Sequence, residues 1–534
     1  MPANVAAVTA ENEKLRAELE IERGQNRELT ERANGLAART HELAKKLAAA
    51  AEEIAKYRAR FFGRSSEKLS LEEQQQMRLF DEDEQAVAPQ EQEAQAEEAA
   101  TEVPAHTRRK PKRRPLPESL PREEVVVDIS EADKHCKCGH ELVRIGEETC
   151  ERLDVIPPRI KVIRTVRPKY ACHHCEGSGD EERPAVRIAP APPTLIPKGI
   201  ATPGLLAFIA TAKFCDALPL YRQQRQFARI DVDLPRSTMA DWMLAAGAAS
   251  RPVLEAMQRK LRSGPLLQVD ETSVQVMGEQ GRADTTSSYM WVARGGPPGE
   301  PVLIYHYAPS RGAPVAAQVI GDFQGFVHTD GYEAYDRVCA RPGITHVGCW
   351  SHARRRFTDA KKATGKSKKA GAADQALAFI AKLYAAESLR QSTDGLDAFN
   401  DTRRAQVEPV LQRLRSWLER KADQVLPRSA LGQAVSYTLQ QWSKLICYLD
   451  SPELTPDTNA VERAIRPFVI GRKNWLFSGS PRGAAASATL YSLIETAKAN
   501  RREPYLYLRD LFERLPLAHT PQDYDALIPR PLGR

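Results

Sequence analysis

LLQVDETSV, residues 266–274, is a β-rich run with an acidic pair set into it, and the elements that follow it decide the fold. SYMWVAR (288–294) and VLIYHY (302–307) read as two further strands, separated by turns rich in Gly and Pro. A helical pattern over 315–320 leads to a short strand, 326–329, at the start of FVHTDGYEAY (326–335). A helix over 332–340, a strand over 344–349 and a basic helix from about Ser351 complete the series.

Three meandering strands followed by helix, strand, helix, strand, helix is the order of a ribonuclease H-like α/β core. That order puts Asp270 on the first strand and Asp330 just past the end of the fourth, with the two strands side by side. Two close carboxylates repel unless a divalent cation compensates them, and hard oxygen ligands suit Mg²⁺ or Mn²⁺. A pair of such ions roughly 3.5 to 4 Å apart serves in-line phosphoryl displacement. The chemistry needs a third acid, for which Glu462 in the helical stretch DTNAVERAIRPF (457–468) is the candidate. Each acid also has a plain structural reading. Asp330 opens an Asp-Gly turn, one of Asp270 and Glu271 can be a solvated edge charge, and Glu462 lies three residues after Asn459 as a capping-box glutamate does. Taken together inside one strand order, they favour a metal site.

HTDGYEAY, CWSHARRRF, TNAVERAIRPFVIGRKNWLFSGSPRGA and LYSLIETAKANRREPYLYL resemble the large transposase of the insertion sequence 66 family, a bacterial DDE-type transposase. The resemblance runs from about Arg60, where RARFFGRSSEKLS (58–70) also carries it, nearly to the C-terminus. It implies that Asp270, Asp330 and Glu462 are a DDE triad, with a helical insertion between the last two. It also implies small companion proteins encoded by the same element.

The remaining chain reads as modules around that core. Residues 12–57 carry heptads, with Leu15, Leu29, Leu36 and Leu43 in one seam and polar Asn26 in the other, so 1–60 is assigned to a coiled coil that favours a homodimer or higher oligomer. A solvated helix on its own chain is the other reading. Residues 61–118 form a linker: 81–102 holds nine acids and no base, and TRRKPKRRP (107–115) is a Pro-broken basic arm that either binds phosphates or pairs loosely with the acids. Cys136 and Cys138, then Cys172 and Cys175, separated by strand-like sequence, mark 119–190 as a zinc ribbon with structural Zn²⁺. The first pair is tighter than C-x-x-C, which leaves His135 or His140 as a substitute ligand. Residues 191–255 read as short helices, a helix-turn-helix with Arg236, Ser237 and Thr238 facing DNA, or else a plain helical bridge. The core is assigned to 256–480, with its insertion at about 352–450, and 481–534 to a C-terminal helical element.

Basic residues cluster near the acids. Arg354, Arg355 and Arg356 open a helix with eight bases, Arg463 and Arg466 flank Glu462, and Arg472 and Lys473 follow, a pattern suited to polyanionic DNA. Arg466, four residues after Glu462, is expected on the same helix face. Trp475 is read as core in preference to a base-stacking ring. Cys349 and His352 lack visible partners and are read as structural. The net charge, 77 basic against 70 acidic residues, is only +7 and says little because the charges are segregated. Nine cysteines, four with metal spacing, argue for a reducing cytoplasm. No apolar run reaches membrane-spanning length. The expected activity is therefore a DNA transposase acting on double-stranded element ends and target. A catalytically dead zinc-dependent DNA-binding regulator and a metal-dependent nuclease without strand joining are the alternatives.

Overall fold

The computed structural model describes residues 160–171, 186–363, 371–391, 393 and 395–531, with scattered positions between Glu20 and Glu42. Those scattered positions are helical and exposed. Most of the coiled-coil seam, the acidic and basic segments of 81–115, and Lys366, Lys368 and Lys369 lie outside the described residues. So do His135, His140, Cys136, Cys138, Cys172 and Cys175. The chain divides into two units, Glu82–Ala191 and a larger one of Met1–Asp81 with Pro192–Arg534. In the first, β1 (Lys169–Ala171) and β2 (Val186–Ile188) pair antiparallel, with Lys169 opposite Ile188.

The larger unit is a mixed α/β body. Four helices lead in: α1 (Pro203–Phe214), α2 (Leu220–Ala228), α3 (Arg236–Ala249) and α4 (Arg251–Leu261). Pro235 occupies the cap position of α3 and no side chain caps it, so Arg236, Ser237 and Thr238 form the first turn. Proline's fixed φ sets the extended entry to the helix by itself. Further along α3, Trp242, Met243 and Ala246 are buried.

The five expected strands form one sheet. β3 (Leu266–Gln275), β4 (Ser287–Gly295), β5 (Val302–Ala308), β6 (Gly325–Thr329) and β7 (Ile344–Gly348) lie in the order β5-β4-β3-β6-β7. β3 is antiparallel to β4 and β4 to β5, whereas β3 is parallel to β6 and β6 to β7. Helix α5 (Ala313–Ile320) leads into β6, and α6 (Glu333–Cys339) supplies the crossover that parallel β6 and β7 need.

After β7 the chain enters a helical body: α7 (Trp350–Ala363), α8 (Ala372–Glu387), α9 (Leu396–Ala422), α10 (Ala430–Gln440) and α11 (Trp442–Ile446). It has its own core, in which Trp350 meets Trp442 edge-on at 6.0 Å and Phe357 meets Trp417 at 6.5 Å. The chain then returns to the sheet as α12 (Asn459–Trp475), followed by α13 (Pro481–Ala499), α14 (Pro504–Arg514) and α15 (Pro521–Ala526). These last helices share the core of the sheet and of α1 to α4. No helix among the described residues is long and apolar enough to cross a membrane.

β5 is an edge strand, and a buried edge needs partners for its free backbone groups. The tail motif LYSLIETAKAN supplies them. Ser492 Oγ accepts the Tyr305 N–H at 2.8 Å, and Thr496 Oγ1 accepts the Leu303 N–H at 2.9 Å and donates to the Leu303 carbonyl at 3.1 Å. Asn500 Nδ2 adds a bond to the Pro301 carbonyl at 2.8 Å. Replacing both Ser492→Ala and Thr496→Val orphans two buried N–H groups, at about 1–3 kcal/mol each. Chemical denaturation is expected to show a loss of about 2–6 kcal/mol for the pair, and a loss below about 1 kcal/mol would mean the edge finds other partners.

Candidate catalytic site

β3 pairs with β6 only from Leu266 to Gln268, opposite Phe326 to His328. Beyond that point β6 ends and its chain turns away, so Asp270 and Asp330 come to the same edge of the sheet. Asp330 Oδ1 accepts the Tyr332 N–H at 3.0 Å, an Asx-type turn, so the turn and the site are made by the same carboxylate. The following Gly331 is held close to the helical body, where an added Cβ would lie 2.7 Å from the Tyr437 ring. Gly331→Ala must push Asp330 or Tyr437 aside, and a fall in turnover of about tenfold or more is expected for the roughly 1 Å misplacement. Steady-state rates on a protein with parental melting behaviour would test it, and an unchanged rate would show that the turn is not constrained.

Glu462 lies in the first turn of α12. Asp457, not Glu462, serves the helix start, accepting the Asn459 N–H at 3.1 Å and Asn459 Nδ2 at 2.6 Å. The capping-box reading therefore fails, and the Glu462 carboxylate turns toward α7. Arg355 Nη2 lies 3.6 Å from one of its oxygens and His352 Nδ1 3.9 Å from the other.

Glu271 is not the solvated edge charge its place beside Asp270 allowed, since its side chain is 1% exposed. Arg311 and the Tyr335 hydroxyl both hydrogen-bond it, Arg311 Nη2 also lies 3.8 Å from Asp330, and the guanidinium stacks 3.9 Å from the Tyr332 ring centre. A buried carboxylate survives because a buried hydroxyl and a partly exposed cation both bond it.

The acids feel one another. Burial, then the charges of Glu271 and Glu462, push the Asp270 carboxyl up to about 8, against the pull of the Glu271 N–H, which it accepts at 2.8 Å. No basic side chain pairs with Asp270 among the described residues. Burial also raises Glu271, despite Tyr335 and Arg311, and lowers His352, despite Glu462 and Asp330. Glu462 Oε1 and His352 Nδ1 are both buried without a hydrogen-bond partner. Surplus negative charge on clustered oxygens, with orphaned donor atoms beside it, fits a divalent cation. In the metal-free protein, Asp270 holds its proton more tightly folded than unfolded. Its contribution therefore favours the fold at low pH and is lost as pH rises from its ordinary 3.8 through about 8. Asp270→Asn is expected to melt progressively higher than its parent between pH 5 and pH 8 in chelator, and a constant difference across that range would contradict the shift.

The expected DNA-binding residues separate into groups. Of the three arginines of α7, Arg354 lies over Tyr384 at 5.9 Å and Arg356 over Tyr437 at 4.1 Å, so only Arg355 reaches the acids. Arg463 is half-buried, whereas Arg466 and Lys473 are exposed. Arg466 does not join Glu462 in any ion pair among the described residues, and the basic groups beside Glu462 are Arg355 and His352 of α7. Arg472 donates to Thr272 Oγ1 and Ser273 Oγ on β3, each at 3.4 Å. Trp475 packs edge-on to Phe468 at 5.5 Å, as core.

Two residues set aside as structural also sit here. Cys349, His352 and Glu462 each offer a donor atom within 4.8 Å of the others. The C-x-x-H spacing was visible in CWSH; the third member was not, because it lies on a distant helix.

Comparison with known proteins identifies the parts. A family described as the transposase IS66 family matches residues 198–486, which span all three acids. The zinc-finger binding domain of transposase IS66 matches 133–176, the IS66 C-terminal element 492–529, and a domain described as transposase C of IS166 homeodomain 50–125. The uncharacterized protein y4jD of Sinorhizobium fredii (strain NBRC 101917 / NGR234) is 33% identical over 413 residues, covering 75% of this chain and 78% of the relative. From the same organism, y4qI is 33% identical over 437 residues, 79% of this chain and 78% of the relative. The uncharacterized protein y4hP is 31% identical over 441 residues, 79% and 77%.

Proposed function

This chain belongs to the IS66 transposase family, and on that premise we propose that it binds the ends of an insertion sequence and carries out metal-dependent strand cleavage and strand transfer by in-line phosphoryl displacement. The observation that carries the reading is the meeting of Asp270, Asp330 and Glu462 from three separate elements, with no basic side chain paired to Asp270 among the described residues. The strand order β5-β4-β3-β6-β7, with its two antiparallel and two parallel pairings, supports a ribonuclease H-like core. The separate hydrophobic core of α7 to α11 supports reading about 352–450 as an insertion into it, within a catalytic domain of 256–480.

Family membership implies metal use, and the all-oxygen triad favours Mg²⁺ or Mn²⁺. Held by Asp270, Asp330 and Glu462, such ions supply activation of the attacking oxygen and stabilisation of the leaving one. The chain's own residues have other tasks. Arg311 and Tyr335 fix Glu271 behind Asp270, and Arg311 steadies Asp330. Arg355 is placed to exchange Glu462 for a phosphate oxygen, since a guanidinium binds either anion in the same fork. Arg354, Arg356, Arg463, Arg466, Arg472 and Lys473 provide the positive surface for DNA, with end recognition by the zinc module (Cys136, Cys138, Cys172, Cys175) and by the first turn of α3, where Arg236 and Ser237 are exposed. Leu36 of the proposed coil, 65% exposed in the single chain, supports pairing of protomers. Companion proteins of the same element and a cytoplasmic site of action belong to the same reading.

The test is joining of a pre-nicked element end, exposing a 3′ hydroxyl, into plasmid DNA by the purified full-length protein with Mn²⁺ or Mg²⁺. Joining supports the transposase. Cleavage without joining would replace it with a nuclease, and end binding with neither activity, even after companion proteins are added, with a regulator.

A further inference from the structure

We propose that His352 is a fourth cation-binding side chain of this site, adding a nitrogen donor beside Glu462, and that Cys349 is the positioning residue that holds Glu462 in reach of it. The proposal rests on the catalytic reading above and extends it.

The distance between His352 Nδ1 and Glu462 Oε1, 3.9 Å, decides what can lie between them. It is beyond a hydrogen bond, which ends near about 3.2 Å. It is also short for a bridging water, whose two bonds of about 2.8 Å at a near-tetrahedral angle span about 4.5 Å. One cation bonded to both at about 2.0–2.2 Å would hold them about 2.8–3.6 Å apart at octahedral or tetrahedral angles, so the two atoms need to close by only about 0.3–1.1 Å to share it. Both atoms are buried and otherwise unpartnered, so the gap is not filled from elsewhere in the described chain. The charges of Glu462 and Asp330 both reach His352, and that of Glu462 reaches Asp270, so the imidazole shares one field with the triad.

The clamp is equally specific. Cys349 Sγ accepts the Thr458 N–H at 3.4 Å and the Thr458 hydroxyl at 3.3 Å, and the Trp350 N–H donates to the Pro456 carbonyl at 2.8 Å. The junction of β7 and α7 is thereby stitched to Pro456 and Thr458, just ahead of α12. Since His352 is one helical turn into α7 and Glu462 one turn into α12, the stitch fixes their separation. Its sulfur lone pairs are occupied by Thr458, which makes Cys349 a clamp and not a ligand.

Imidazole nitrogen favours transition-metal ions over Mg²⁺, so His352 should bias the site toward Mn²⁺. The test is pulsed electron paramagnetic resonance of the full-length, zinc-replete protein loaded with one equivalent of Mn²⁺. A ¹⁴N coupling of a coordinated imidazole is expected, absent from His352→Gln, together with a loss of Mn²⁺ affinity of about tenfold and a much smaller change for Mg²⁺. Cys349→Ser, which keeps an acceptor for Thr458, should retain the coupling, and Cys349→Ala should weaken Mn²⁺ binding. Bound Mn²⁺ with no nitrogen coupling, or a coupling that persists in His352→Gln, would overturn the proposal while leaving the carboxylate site standing. A thiolate-to-metal charge-transfer band in the Co²⁺ form would overturn the clamp by placing Cys349 among the ligands. Mn²⁺ binding that Asp270→Asn does not weaken would remove the carboxylate site as well.

Discussion

Asp270→Asn is expected to cut strand joining at least about a thousandfold while leaving element-end binding within a few-fold of the parent. The loss corresponds to about 4 kcal/mol of transition-state stabilisation, a scale set by removing a principal metal ligand. The two effects separate because affinity for DNA comes from Lys and Arg spread over the surface, whereas Asp270 contributes only negative charge at the reacting centre. Asparagine keeps the shape of the side chain and its acceptor for the Glu271 N–H, so the strand itself is undisturbed. Removing a buried charge that Glu271 and Glu462 repel should instead stabilise the metal-free protein at neutral pH. A variant more stable, equally good at binding DNA and inactive is the signature of a catalytic acid, and a structural acid would show the reverse. Asp330→Asn and Glu462→Gln should follow in activity. Joining by any of the three above about a tenth of the parental rate would remove that residue from the triad.

The strands were legible because alternation and turn chemistry are local. Leu266–Gln275, Ser287–Gly295 and Val302–Ala308 fall within a residue or two of the runs read from β-branched and aromatic composition. The pairing of β3 beside β6 followed from element order, and with it the meeting of Asp270 and Asp330. What sequence could not supply was the identity of partners across long intervals. Arg466 was legible as a helical neighbour of Glu462, yet the groups that face Glu462 are Arg355 and His352, reached only through the return of the chain from the helical body. Glu271 could be read as a solvated edge charge because its compensation, Arg311 and Tyr335, comes from two different segments. The tail motif around Ser492 and Thr496 satisfies the backbone of a strand nearly two hundred residues earlier, a task no local pattern reveals. Local pattern thus gave the elements, and hydrogen-bond accounting in three dimensions gave the reasons for the motifs.

Arg403→Ala is the other substitution from which a large effect is expected, although it lies far from the acids in sequence. Arg403 in α9 has a fully buried side chain. Its guanidinium donates to the carbonyls of Leu454 at 2.9 Å, Tyr448 at 3.0 Å and Ser451 at 2.9 Å, and to Asn400 Oδ1 at 2.6 Å, with Glu387 at 3.4 Å as its counter-charge. One planar fork therefore ties down the segment that carries the chain from the helical body back to α12. Truncation strands three carbonyls and a half-buried carboxylate, and breaking a buried pair of this kind costs about 3–5 kcal/mol. Lysine is a poor substitute, because a single ammonium cannot reach three carbonyls arranged for a guanidinium. The core of the helical body takes in Val347 of β7 and packs against Leu266 and Phe326, so calorimetry should show the melting transition of the sheet and helical body moving down. Joining should fall with it, because the segment that Arg403 holds sets where α12 begins and hence where Glu462 points. A variant that melts as the parent does but loses joining would mean that the loop is held by other contacts and that Arg403 acts on the site directly. One that melts lower yet joins at the parental rate would show that the Cys349 to Thr458 stitch alone is enough to place Glu462.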